Sequence, residues 1–127
     1  MRGEQAGVKV DGEDDHGWTA LSEAAVGGHT ALCKMLAEAG ADVNKTGQFK
    51  RTPLFRAAFN GHAETCKLLL EWGADPRMTD TEARRPMHVG GNQETIDVIT
   101  AFPESETQRV LAIRQEEIAA RKAQEMA

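Results

Sequence analysis

Residues 50–82, KRTPLFRAAFNGHAETCKLLLEWGADPRMTDTE, decide the fold, because residues 17–49, GWTALSEAAVGGHTALCKMLAEAGADVNKTGQF, are a second copy of the same pattern. Fourteen of the 33 aligned positions are identical: Thr19/Thr52, Leu21/Leu54, Ala24-Ala25/Ala57-Ala58, Gly28-His29/Gly61-His62, Cys33-Lys34/Cys66-Lys67, Leu36/Leu69, Glu38/Glu71, Gly40-Ala41-Asp42/Gly73-Ala74-Asp75 and Thr46/Thr79. A fixed period of this length marks a stacked repeat protein. Each unit buries its apolar face only against its neighbours. Chains built in this way usually bind other macromolecules and do no chemistry.

Within the second copy, Thr52-Pro53 reads as a helix start. The hydroxyl can cap, and Pro at the first helical position loses an N–H that had no partner anyway. Leu54, Ala57 and Ala58 follow at helical spacing, and Asn60-Gly61-His62 breaks the helix. A second helix is predicted from about Ala63 to Trp72, with Cys66, Leu69 and Leu70 inward and Gly73 as its left-handed C-terminal cap. The first copy repeats this with Thr19-Ala20-Leu21, a Gly27-Gly28-His29 turn, and a helix from about Thr30 to Ala39. The unit is therefore helix, tight turn, helix, extended loop.

These residues resemble the ankyrin repeat. The pattern T-(P/A)-L-x-x-A-A-x-x-G-H, a Leu in the second helix and G-A-D-(V/P) at the exit occurs twice at one spacing. The resemblance implies an all-α solenoid whose loops project as β-hairpin fingers and whose first helices line a concave face. It extends more weakly to both ends. Gly7-Val8-Lys9-Val10-Asp11 stands 33 residues before Gly40-Ala41-Asp42-Val43-Asn44, so residues 1–16 read as the exit loop of a preceding partial repeat. Residues 17–49 and 50–82 are full repeats, and residues 83–103 form a degenerate terminal one. There Arg85-Pro86-Met87-His88 aligns with Thr52-Pro53-Leu54-Phe55, but Val89-Gly90-Gly91 erodes the first helix. The second helix of this repeat is predicted to reach Phe102.

Residues 104–127 read as a C-terminal helix, with Ser105-Glu106-Thr107-Gln108 as its capping box. Val110, Leu111, Ile113 and Ile118 are its large aliphatics, crowded into its first half. The expected role is to flank the stack, with the first turns covering the last repeat. A coiled-coil arm is the alternative, although no heptad holds for three cycles. A partial repeat at one end and an unfinished helix at the other suggest a piece of a longer protein.

The chain has 127 residues, 40% of them apolar and only 5% aromatic, and a formal charge of −5. That charge argues against nucleic acid or an anionic membrane surface as partner. No stretch has the ~18 continuous apolar residues of a membrane helix. Two cysteines at helical core positions suggest a reducing, intracellular and most simply cytoplasmic setting, with the nucleus left open. His29-x3-Cys33 and His62-x3-Cys66 imitate a zinc ligand set. Each pair belongs to its own repeat, and units about 10 Å apart cannot place four ligands at ~2.0–2.3 Å from one ion. No cofactor and no small-molecule substrate is expected, and no acid, base or nucleophile converges. The chain does not read as an enzyme.

The resemblance implies protein recognition through finger tips and exposed first-helix positions, as a scaffold or adaptor. Carried over by position, the binding residues are Asp15, His16, Trp18 and Val26, then Gln48, Phe49, Arg51, Phe59 and Asn60, then Thr81, Glu82 and Arg84. Trp18, Phe49 and Phe59 fall where the repeat assigns no packing duty, as interface anchors do; the alternative is that Phe59 and Trp18 pack on adjacent repeat surfaces and shield the fold. Phe55, where the family often has His, and Trp72, on the opposite side, are weaker candidates. Glu23 and Arg56 stand at equivalent positions of adjacent repeats and are expected either to pair or to point to solvent. Leu36 and Asp42-Val43-Asn44 resemble a loop in which some members are hydroxylated on the Asn; the other reading of Asn44 is a loop residue supporting its own turn. The alternative function is structural: the segment packs within its parent protein or joins a larger assembly through the C-terminal helix.

Overall fold

Helix α1 (Ala20–Val26) begins where the Thr19 hydroxyl accepts the Ser22 N–H at 3.2 Å, and α3 (Pro53–Phe59) where the Thr52 hydroxyl accepts the Phe55 N–H at 3.1 Å. Both capped starts are those read from the repeat. Their partners are α2 (Thr30–Glu38) and α4 (Ala63–Glu71). The computed structural model describes residues 10–126, so most of the partial repeat expected over residues 1–16 lies outside the described residues. In the third unit the first helix shrinks to a 3-10 turn, Pro86–His88, followed by α5 (Gln93–Ala101). The erosion expected from Val89-Gly90-Gly91 is present.

The helices stack in two layers. In one, α1 contacts α3, and α3 contacts the Pro86–His88 turn; in the other, α2 contacts α4 and α4 contacts α5. Between them lies a core of small and medium side chains: Leu21, Ala24, Ala25, Cys33, Leu54, Ala57, Ala58, Cys66 and Leu69. Alanines at the layer interface let the helices approach closely. Further contacts join successive units: Thr30 Oγ1 and Thr65 Oγ1 share a hydrogen bond at 2.7 Å, and His62 Nε2 lies 3.1 Å from the Val26 carbonyl. The outward side of α5 is polar, with Gln93, Glu94, Asp97 and Thr100 exposed. A terminal unit needs such a face in order to meet water.

Two expectations change. The loops are not β-hairpins: no residue among those described lies in a strand. Each finger instead closes by two backbone hydrogen bonds at one residue, its N–H to the carbonyl four residues on and its carbonyl from the N–H three residues on, and single hydrogen bonds join neighbouring tips, from Gln48 N–H to His16 O (2.9 Å) and from Thr81 N–H to Phe49 O (3.0 Å).

The C-terminal helix α6 (Thr107–Met126) flanks the stack as expected but differs in its cap and in the surface it covers. It is entered through a 3-10 turn at Glu104–Glu106, so Ser105 sits inside that turn and caps nothing. From there α6 doubles back over the ends of α4 and α2, leaving the outer face of the last repeat open. Leu111 lies against Gly73, where an added Cβ would come within 2.8 Å of its side chain. Gly73 has φ of +101°, so glycine is required there both for the left-handed cap and for this approach. Farther along, Ile118 faces Gly40 and Arg121 Nη2 reaches Glu38 at 4.0 Å.

Candidate interface on the first-helix face

Three finger tips recur at the period of the repeat. Asp14, Gly47 and Asp80 each donate their N–H to the carbonyl four residues on, that of Trp18, Arg51 or Arg84, at 3.0, 3.1 and 3.0 Å. In the first and third fingers the Asp carboxylate tightens the tip. Asp14 Oδ1 accepts from the N–H of His16 and Trp18, and Asp80 Oδ1 accepts from the N–H of Glu82 and Arg84. The middle finger has no such carboxylate. Gly47 lies against the Trp18 ring, and a Cβ there would collide with it.

Asp80 is the best-supported carboxylate in the fold. Its side chain is fully buried, and Oδ2 accepts from Arg84 Nε at 3.2 Å and Nη2 at 2.9 Å. Burial alone would raise its pKa; the N–H and guanidinium of Arg84 and the N–H of Glu82 outweigh that and hold it down to about 2. Asp14, exposed, is also lowered, by the N–H groups of Trp18 and His16.

Arg51 occupies the same register as Arg84 but has a different environment. Its Nε is 3.7 Å from Asp80 Oδ2, is shielded from water and has no hydrogen-bond partner. The guanidinium stacks over Phe49 at 5.0 Å and Phe55 at 5.2 Å from the ring centroids. Together Arg51, Phe55, Arg56, Val26, Phe59 and Asn60 line a hollow of about 180 Å³. Phe55 is its buried floor, and Phe59, 55% exposed, forms one wall.

The structure sorts the residues expected at an interface. Val26, Arg51, Phe59 and Asn60 share this hollow. Phe49 joins it through Arg51 and is 51% exposed on a tip where Phe49 and Lys50 both have positive φ (61° and 60°). Asp15, His16, Gln48, Thr81 and Glu82 are exposed on the row of tips. Arg84 is engaged by Asp80, with Glu82 at 3.3 Å.

Trp18 requires a correction. Far from having no packing duty, its ring is held between Gly47 and the Arg56 guanidinium, whose Cζ lies 4.0 Å from the centroid. Arg56 in turn donates to Ser22 Oγ at 3.1 Å and Glu23 Oε1 at 3.2 Å, so the Glu23–Arg56 pair forms. Such stacking is a structural contact between repeats. Arg56 and Asp80 were not among the residues expected at the interface, and Phe55 was only a weaker candidate. The shared spacing of Asp14 to Trp18 and Asp80 to Arg84, 66 residues apart, is the signal that could have found Asp80.

Other candidates have structural roles. Cys33 and Cys66 are fully buried, and burial pushes their thiols up to about 11 and about 12. Among the described residues, no three His, Cys, Asp or Glu side chains gather as a metal site would need. Asn44 serves the next unit beyond its own turn: its Nδ2 donates to Gly73 O at 3.0 Å, and its Oδ1 accepts the Asp75 N–H at 2.8 Å. Asp11 Oδ1 accepts the Asp42 N–H at 2.9 Å in the same way, one repeat earlier. Trp72, a weaker candidate, is buried beneath Arg114 of α6.

A family model described as ankyrin repeats in three copies matches residues 4–80. The chain belongs to the ankyrin-repeat family. Domains of this family are generally non-catalytic modules for protein–protein interaction.

Proposed function

We propose that this chain is a scaffold or adaptor module that engages a protein partner through its finger tips and concave first-helix face. Phe49 and Phe59 act as the anchors. The surrounding contacts come from Asp15, His16, Val26, Gln48, Arg51, Asn60, Thr81, Glu82 and Arg84, and Trp18 supports them from beneath. One observation carries the reading: two phenylalanines, 51% and 55% exposed, are linked through Arg51 around a hollow on one face. Aromatic side chains left in water beside a cavity are typical of interface anchors. Phe49 also sits in a left-handed conformation that side chains rarely adopt, and such strain concentrates at binding surfaces.

Capture from cell extract by the wild type and by a Phe49→Ser, Phe59→Ser variant tests this. A partner retained by the wild type and lost from an equally folded variant supports the face; equal capture by both counts against it. A second reading is favoured by Ile113, 43% exposed on α6. It assigns α6 to a larger assembly or to the parent protein. Two protonated, buried thiols fit a reducing intracellular setting. Hydroxylation of Asn44 is a separate, regulatory proposal; an added oxygen on a peptide containing Asn44 from the cellular protein would support it, and an unmodified peptide would oppose it.

A further inference from the structure

Arg84 and Arg51 occupy the same place in consecutive fingers, yet only Arg84 receives a carboxylate from its own finger. Asp80 Oδ2 accepts two hydrogen bonds from Arg84, and its Oδ1 accepts two backbone N–H groups, so each oxygen already has two donors. Glu82 also turns to Arg84, and Glu23 is taken by Arg56. The position in the middle finger that corresponds to Asp80 is Gly47, and Trp18 leaves no space for a side chain there. Arg51 therefore shares Asp80 with Arg84, its Nε 3.7 Å from Oδ2 and without a hydrogen bond, and among the described residues no second carboxylate pairs with it; Lys50 beside it adds a further positive charge. The Arg51 side chain is 27% exposed and lines the hollow together with Phe59.

We infer that the partner enters as an acidic segment: an Asp or Glu side chain pairs with Arg51 while a neighbouring bulky apolar side chain seats against Phe59. This rests on the interface reading above and specifies its chemistry. The hollow of about 180 Å³ suits one side chain and is smaller than the ~300 Å³ or more of a small-molecule site. A planar guanidinium already oriented by two rings loses little entropy on binding and presents a fork that fits a carboxylate. The net charge of −5 opposes an acidic ligand only at long range, where salt screens it.

The test is selection of displayed random peptides on the full chain, followed by the Arg51→Gln, Arg51→Lys and Phe59→Ser variants, with thermal melts to confirm folding. Expected are peptides in which Asp or Glu neighbours a bulky apolar residue. A synthetic representative should bind Arg51→Gln roughly tenfold or more weakly, with a smaller loss for Arg51→Lys, which keeps charge but not the fork. Peptides lost on Phe59→Ser but free of acidic enrichment, or indifferent to Arg51→Gln, would overturn the carboxylate and leave the interface standing. Enrichment in Lys or Arg would do the same and shift attention to Asp15 and Glu82. A lack of any Phe59-dependent peptide would overturn both.

Discussion

Arg114 lies over the face of Trp72, its Cζ 4.2 Å from the ring centroid, while its Nε donates to the Glu71 carbonyl at 3.0 Å. One side chain thus covers a large aromatic and satisfies a carbonyl at the end of α4, where no intrahelical donor is available. Together with Leu111 on Gly73, it is what ties α6 to the repeats.

Arg114→Ala should therefore cost about 1–2 kcal/mol, for a lost cation–π contact and hydrogen bond. Trp72→Ala, which opens a cavity, should cost about 3–5 kcal/mol. Urea unfolding checks both. Equal and negligible effects would mean that α6 is not held against the stack.

Asp80 sets a pH dependence. Its folded pKa, about 2, lies below its ordinary 3.8. The ionised carboxylate contributes its full stabilisation above the unfolded value, and that contribution disappears as pH falls through the folded one. The urea midpoint should drop between about pH 4 and pH 2. Asp80→Asn should start from a lower midpoint at neutral pH and show a smaller acid-induced fall.

Buried, protonated thiols react slowly, since the thiolate is the nucleophile. Cys33 and Cys66 should resist a thiol reagent in the native state and react fully once unfolded. Cys66→Ser, which buries a hydroxyl where a weakly polar thiol sat, should cost about 1–3 kcal/mol. Rapid labelling of either cysteine without unfolding would contradict the packing of the core.

At the third finger tip, Ala83 holds φ of 61° where the first finger has Gly17 at 79°. A left-handed residue with a Cβ is strained, so Ala83→Gly should stabilise the chain by about 1 kcal/mol. The melting temperature should rise; a fall would show that Ala83 makes contacts worth more than the strain.

Much of this fold could be read from spacing. The period located every repeat helix, because a stacked unit must place its caps, small residues and glycines at fixed positions to meet its neighbours. Pro86 and Gly90-Gly91 betrayed the eroded first helix of the last repeat in the same way. That Trp18 could pack on the adjacent repeat was legible as an alternative, but its partners were not. Its packing depends on Gly47, 29 positions away, and on Arg56 of the next unit, and no local pattern couples these. The course of α6 was hidden for a related reason. Its contact stripe, Leu111, Arg114, Ile118 and Arg121, mixes apolar and charged residues, so it does not register as a hydrophobic face. Phe49 and Phe59 were legible as exposed because the repeat gives their positions nothing to pack against.

The most direct test of the binding face is site-specific photocrosslinking in cells, with a photoreactive phenylalanine analogue at position 59, at 49 or at 113. A common protein adduct is expected from positions 59 and 49 and none from 113. An adduct from 113 alone would contradict this and place the interaction on α6.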